Sequence, residues 1–286
     1  MSYEQKLLQL LSGKWITAAV SAAAELGLAD ALEGRTVSPE ALAEELGCAE
    51  DALLRLLRVL SGEELVEADA HGNYTLTALG AQLKTGQLRE LARFVGSPFM
   101  WNPWAALATT VRTHQAAFEV THGLSLFDHL DRHPEDAALY HSAVDAFTRR
   151  EARALAETFD FSRAELVVDV GGGLGTLLVE LGARWPALRC LLYDRPKVIE
   201  QAKVGPAAHA LGGRLTTLAG DFLEGVPAGA DIYVIKHVLH NWDDESAVSL
   251  LRRCRERLRP DLPGFLPSSR RPCCAPRFDR VDPSCR

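Results

Sequence analysis

The chain has 286 residues, 47% of them hydrophobic and 24% charged, a length that suits two domains of roughly 150 residues each and a composition with ample material for a core. Collagen-like, low-complexity and small disulfide-scaffold classes are excluded. Residues 1–258 carry 25 basic and 35 acidic side chains, and an acidic body argues against a nucleic-acid surface, which needs clustered Lys and Arg. The last 28 residues break the pattern: they hold six of the 14 prolines and three of the six cysteines, with six basic against three acidic side chains.

The cysteines at positions 48, 190, 254, 273, 274 and 285 form no CxxC pair and no His/Cys spacing suited to zinc. Free thiols in a reducing cytoplasm and no metal are expected. The apolar stretch from Trp15 to Ala24 is about half the ~20 residues a membrane-spanning helix needs, and it reads as part of an amphipathic helix; a signal peptide is the minor alternative, with no clear cleavage site.

In chain order, Ser38-Pro39 supplies an N-cap and a first-turn proline for a helix that Gly47 breaks. A second helix starts at Asp51 and carries Leu53, Leu54, Leu56, Leu57 and Leu60 as an apolar stripe. Leu65-Val66 and Tyr74-Thr75-Leu76 flank the turn signal His71-Gly72-Asn73, a hairpin. This is a winged-helix plan. Residues 1–100 hold eight basic and 14 acidic side chains, and the recognition-helix position offers only Arg55 and Arg58. The plan therefore reads as packing or dimerisation rather than DNA binding. Residues 90–160 are helical and aromatic. From Leu166, short strands at 166–170, 190–193, 215–219 and 232–235 alternate with helices at 176–185, 197–210 and 243–258, which implies a parallel sheet with helices on its faces, an α/β fold.

The strongest chemical signal is Val168-Asp169-Val170-Gly171-Gly172-Gly173-Leu174-Gly175, a strand running into a glycine turn and a helix. Glycines allow a tight turn and close ligand approach, and the helix N-terminus offers amide donors. Asp194 ends the next strand, where a carboxylate can accept ribose hydroxyls; a helix N-cap or loop aspartate is the competing reading. Asp221, in Ala219-Gly220-Asp221-Phe222, follows the third strand in the same way. Aspartates 169, 194 and 221 on one carboxyl edge point to one ligand carrying ribose and adenine.

The runs DVGGGLG, LLYDRP, AGDF and IKHVLHNWDDE, in this order, resemble the class I S-adenosylmethionine-dependent O-methyltransferases, in particular the small-molecule family shared by plant phenol methyltransferases and actinobacterial polyketide-tailoring enzymes. The winged helix and the segment from Trp104 to Phe147, with Val111-Arg112-Thr113 and His133-Pro134-Glu135, fit the same family. The resemblance covers about residues 5–258. It implies a Rossmann-like methyltransferase sheet preceded by a mostly helical winged-helix dimerisation domain. Methyl transfer would go from S-adenosylmethionine to a hydroxyl of an aromatic secondary metabolite, in a cytoplasmic homodimer without nucleic-acid or membrane partners.

Position by position, the resemblance implies that Gly171, Gly172, Gly173 and Gly175 lie against the cofactor beside Asp169. It further implies that Asp194 holds the ribose, that Asp221 and Phe222 flank the adenine, that Lys236 contacts the cofactor and that His240 is the general base. Trp101, Trp104, Phe147 and Asn241 are the substrate-side candidates; the family usually has aspartate at the last of these. Two rival readings are a cofactor-binding but catalytically impaired protein and a winged-helix regulator, the latter disfavoured by the missing basic helix.

The expected domains are 1–100 for dimerisation, 101–160 as a helical linker lining the substrate, and 161–258 for cofactor binding. Residues 259–286 are a Pro/Arg/Cys-rich tail. Residues 260–286 show no strand period, where the family continues with a fifth strand, further helices and a final hairpin. An out-of-frame reading of a GC-rich gene accounts for this, with a disordered extension as the alternative. The sheet order 3-2-1-4 would then leave the fourth strand as a bare edge.

Overall fold

A computed structural model describes residues 2–259; the readings of the tail at 260–286 lie outside them. Helix α1 (Tyr3–Leu26) opens with a capping box in which the Ser2 hydroxyl accepts the Gln5 N–H and the Gln5 side chain accepts the Ser2 N–H. It closes at Gly27, whose φ of +71° few other residues adopt. At 24 residues and mean hydropathy 1.2, α1 is long and apolar enough to cross a membrane by length and composition. Its inner face, with Ala23 and Ala24, is buried within the protein.

The short α2 (Leu28–Ala31) leads to β1 (Thr36–Val37), α3 (Pro39–Leu46) and α4 (Glu50–Gly62). Ser38 caps α3 through the Ala41 N–H, as its sequence implies. Leu53, Leu57 and Leu60 of α4 fall at helical spacing and are buried among Leu32, Leu42 and Val66. The hairpin strands are β2 (Val66–Ala68) and β3 (Tyr74–Leu76), and the Asp69 carboxylate fixes their turn by accepting the His71 and Asn73 N–H groups. The structure adds β1, which pairs with β3 through Thr36–Thr75 and Val37–Tyr74. Two residues carry no readable period, so this third strand was not expected.

Helix α5 (Arg89–Gly96) packs on α1, and a Cβ at Gly96 would lie 2.3 Å from that of Ser21. Arg89 bonds the Ala24 carbonyl and Asp30, and Arg93 pairs with Glu25 at 2.6 Å. Short helices α6 (Pro98–Trp101), α7 (Leu107–Thr113), α8 (Ala117–His122) and α9 (Leu126–Arg132) follow, then the long α10 (Pro134–Thr158).

The second half is β4 (Leu166–Val170), α11 (Thr176–Arg184), β5 (Arg189–Asp194), α12 (Pro196–Ala202), α13 (Pro206–Leu211), β6 (Leu215–Ala219), β7 (Ile232–Val234) and α14 (Asp244–Arg257). The single helix expected over 197–210 is two helices, because Pro206 has no N–H to continue the first and starts the second. The sheet is parallel with order β6-β5-β4-β7, the expected 3-2-1-4. β4 is its central strand, and Val167, Val168, Asp169 and Val170 are all buried, as befits a strand covered on both faces. The outer edge is not bare at its base: Leu258 bridges Ala230 in parallel, held by Gly229 N–H to Arg257 and Arg259 N–H to Ala230.

Leu178 on α11 is fully buried beneath the sheet among Val167, Leu181 and Leu192. Leu178→Ala is expected to lower the unfolding free energy by about 2–5 kcal/mol through lost contacts and a residual cavity. Urea denaturation followed by circular dichroism checks this, and a loss below about 0.5 kcal/mol, the scale of a surface change, would contradict the packing described.

Candidate active site

The site begins where β4 leaves the sheet. Gly171, Gly173 and Gly175 have φ of +69°, +60° and +84°, a region that favours glycine. A Cβ at Gly172 would stand 2.5 Å from the Asp169 carboxyl carbon and from a Leu192 methyl, so this turn is too close to its own sheet for any side chain. Gly173 differs: nothing lies within 4 Å of its Cβ position, and the loop is open there.

Asp194, at the end of β5, faces this turn. One of its carboxylate oxygens accepts the Gly173 N–H at 2.8 Å and the other its neighbour Arg195 N–H at 2.7 Å. Burial pushes its carboxyl up, against those two N–H bonds and the positive charge of Arg195. Asp169 lies deeper, 2% exposed, with no hydrogen-bond partner for its carboxylate among the described residues. Burial raises it to about 7, with Lys236 opposing and Asp194 adding to the shift.

Asp221 is exposed, and its carboxylate accepts the Leu223 N–H at 2.8 Å, a local turn bond. Phe222 packs edge-on against Trp242, with ring centroids 5.5 Å apart. Lys236 reaches Glu151 on α10 at 3.2 Å, and His237 Nε2 lies 3.0 Å from both Glu151 oxygens. Burial pushes the Glu151 carboxyl up, but Lys236 and His237 outweigh it and hold it below its ordinary value. His240 sits on an exposed 3₁₀ turn, Leu239–Asn241, with its ring 5.4 Å from that of His237. No carboxylate bonds His240 among the described residues. The Asn241 side chain turns back to the His237 carbonyl at 3.1 Å.

The structure thus gathers Asp169, the glycine turn, Asp194 and Lys236, with His240 on the loop that continues from β7. It does not gather all the aromatic candidates. Trp104 is 68% and Phe147 44% exposed, while Trp101 is partly buried with the Lys14 ammonium 5.9 Å from its ring. The packed aromatics are instead Phe94, Phe99 and Tyr140, with Phe94 5.8 Å from Phe99 and 5.7 Å from Tyr140.

Sequence reasoning missed the contribution of α10. Besides Glu151, it brings Asp145, which accepts the Thr176 hydroxyl at 2.5 Å beside the glycine turn, and His141, held below its ordinary value by burial although Asp145 and Asp194 oppose this. Nothing in the sequence links these residues to a turn about 30 positions downstream.

This geometry is that of a Rossmann-like methyltransferase edge, and comparison with known proteins agrees. The family model for the O-methyltransferase domain matches residues 104–263, and that for the O-methyltransferase dimerisation domain matches residues 8–86. The chain belongs to the S-adenosylmethionine-dependent O-methyltransferase family. It is 40% identical to the 3-amino-4-hydroxybenzoate 4-O-methyltransferase of Streptomyces cremeus, over 90% of this chain and 71% of that protein. Among solved structures it resembles mitomycin 7-O-methyltransferase MmcR, with 36% identity, TM-score 0.79, and coverage of 90% of this chain and 77% of that one. It also resembles CalO1, a methyltransferase in calicheamicin biosynthesis solved in its SAH-bound form, with 32% identity, TM-score 0.77, and coverage of 91% and 78%.

The titration of Asp169 gives a test. Its folded value of about 7 lies above the ordinary 3.8, so the folded state binds the extra proton. That contribution to stability is complete below the unfolded value and is lost as pH rises through the folded one. Between these two values the stability of the ligand-free protein is expected to fall with rising pH, and Asp169→Asn is expected to flatten the slope. Urea midpoints measured at pH 4.5, 6 and 8 check this; identical slopes in the two proteins would contradict it.

Proposed function

We propose that the carboxyl edge of the sheet holds S-adenosylmethionine and that His240 deprotonates a hydroxyl on an aromatic small molecule. The carrying observation is the Asp169 carboxylate, buried and without a hydrogen-bond partner beside a glycine turn open at Gly173. A buried carboxylate without a partner is costly, and a cationic ligand relieves that cost. In this reading Asp169 and Lys236 face the amino-acid end of the cofactor, Asp194 exchanges its backbone bonds for ribose hydroxyls, and Asp221 with Phe222 borders the adenine. The bound cofactor supplies an electrophilic sulfonium methyl group.

The acceptor needs a base because a phenol has a pKa near 10, so little phenolate exists at neutral pH. In this reading His240 takes the hydroxyl proton as the oxygen forms its bond to the methyl carbon, while the bond between that carbon and sulfur breaks and S-adenosylhomocysteine leaves. Glu151 fixes Lys236 and His237 and so the start of the segment that carries His240. Trp101 and Asn241 border the acceptor, with Trp104 and Phe147 joining where they are covered. The hydroxybenzoate named for the Streptomyces cremeus relative supports a hydroxylated aromatic as the substrate class. We assign residues 1–100 to dimerisation, 101–160 to the helical linker and 161–258 to cofactor binding, in a cytoplasmic protein.

The open position of His240, without a carboxylate to orient it among the described residues, favours one second reading: binding of S-adenosylmethionine with impaired transfer. One experiment separates the two. Calorimetric titration with S-adenosylmethionine is expected to show binding that Asp194→Ala weakens at least tenfold. A panel of phenols is expected to show methyl transfer that His240→Ala slows by about 10²- to 10⁴-fold with cofactor affinity retained. Binding without transfer to any phenol would establish the second reading.

The homodimer rests on α1. Leu7, Leu8, Leu11 and Trp15 lie on this helix, and Leu11 and Trp15 are 63% and 72% exposed, a long apolar face without cover in one chain. A Leu7→Glu/Leu11→Glu variant is expected to sediment as a monomer where the parent sediments as a dimer. A variant that stays dimeric in analytical ultracentrifugation would place the interface elsewhere.

A further inference from the structure

We propose that His129, His133 and Asp136 form a binding site for one divalent transition metal, zinc by its donor set, at the junction of α9 and α10. Pro134 forces the break between these helices, and His133 stands between them as the last cap of one and the first of the next. The spacing of four places His129 and His133 one above the other, and their rings stack with centroids 4.0 Å apart. Asp136 follows in the first turn of α10, with Oδ2 2.7 Å from His129 Nε2. One ligand atom from each of the three residues lies within 4.8 Å of the others.

The second contacts suit a metal. His133 Nδ1 is 2.8 Å from the His129 carbonyl, and a carbonyl only accepts, so Nδ1 carries the proton. Nε2 then keeps its lone pair, as a ligating imidazole requires. His129 is 7% exposed and shares its Nε2 position with a carboxylate, where a metal ion can replace the proton between them. Phe99 stacks on the same ring at 5.5 Å and Phe118 meets it edge-on at 5.4 Å, forming an apolar wall on that side.

Two imidazoles and one carboxylate match zinc and not calcium or magnesium, which prefer oxygen donors. Metal–ligand bonds of about 2.0–2.1 Å put tetrahedral ligand atoms roughly 3.3 Å apart, and each imidazole must aim its ring plane at the ion, so closing the site requires the exposed His133 ring to turn out of its stack on His129. The fourth position falls to solvent on the exposed side of His133. The expectation of no metal rested on the lack of a CxxC pair and of a His/Cys spacing suited to zinc, and this set contains no cysteine and straddles a helix break. Asp131, two positions from His129 on α9, pairs with Lys197 at 3.4 Å and with Arg195 at 3.8 Å, immediately after Asp194.

The test uses the full chain, tag-free and stripped with chelator, carrying Cys273→Ser, Cys274→Ser and Cys285→Ser to remove competing thiols. Calorimetric titration with zinc chloride is expected to show one equivalent bound. His133→Ala and Asp136→Asn, at sites that are not fully buried, are each expected to weaken it at least tenfold. His71→Ala, in a distant exposed turn, is expected to leave it unchanged. Cobalt(II) is expected to show visible absorption of nitrogen and oxygen ligation that His133→Ala abolishes. Absence of saturable binding, or affinity in both site variants equal to that of the parent, would overturn the proposal and leave the His129–Asp136 pair as a side-chain clasp between α9 and α10.

Discussion

The structure depends on how closely β4 and its glycine turn are held against their own sheet. β4 pairs with β5 over Leu166–Val170 and with β7 over Val167–Asp169, and Val167, Val168, Asp169 and Val170 are buried. At Gly172 any side chain would collide with Asp169 and Leu192. The same closeness buries the Asp169 carboxylate, while the turn is open at Gly173, whose N–H is held by the Asp194 carboxylate. Burial that costs the isolated protein stability is what prepares the edge for a cationic ligand.

Helix α10 carries this edge's connection to the rest of the molecule. It packs on α11 behind the glycine turn and on α5, which in turn packs on the apolar helix α1. Along its length Asp136, Asp145 and Glu151 reach, respectively, a histidine pair, the start of α11, and the lysine and histidine after β7.

Most of the fold was legible because its elements announce themselves locally. Ser38-Pro39, the leucines of α4 and the alternation of strands and helices after Leu166 depend on neighbours in sequence, and so did the placement of Asp169, Asp194 and the glycines. Contacts between distant segments were not legible. β1 is too short to have a period, Glu151 meets Lys236 across 85 positions, and the exposure of Trp104 and Phe147 follows from how α6 to α10 pack, which no composition reveals. The break at Gly205-Pro206 could have been read from proline, but apolar residues on both sides masked it.

Whether the glycine turn and Asp194 hold the cofactor is read by hydrogen–deuterium exchange on the full chain with and without S-adenosylhomocysteine. The product is expected to slow exchange of the amides at 171–175 and 194–195 while leaving those of α3 and α4 unchanged. Unchanged exchange at the glycine turn under saturating product would contradict it.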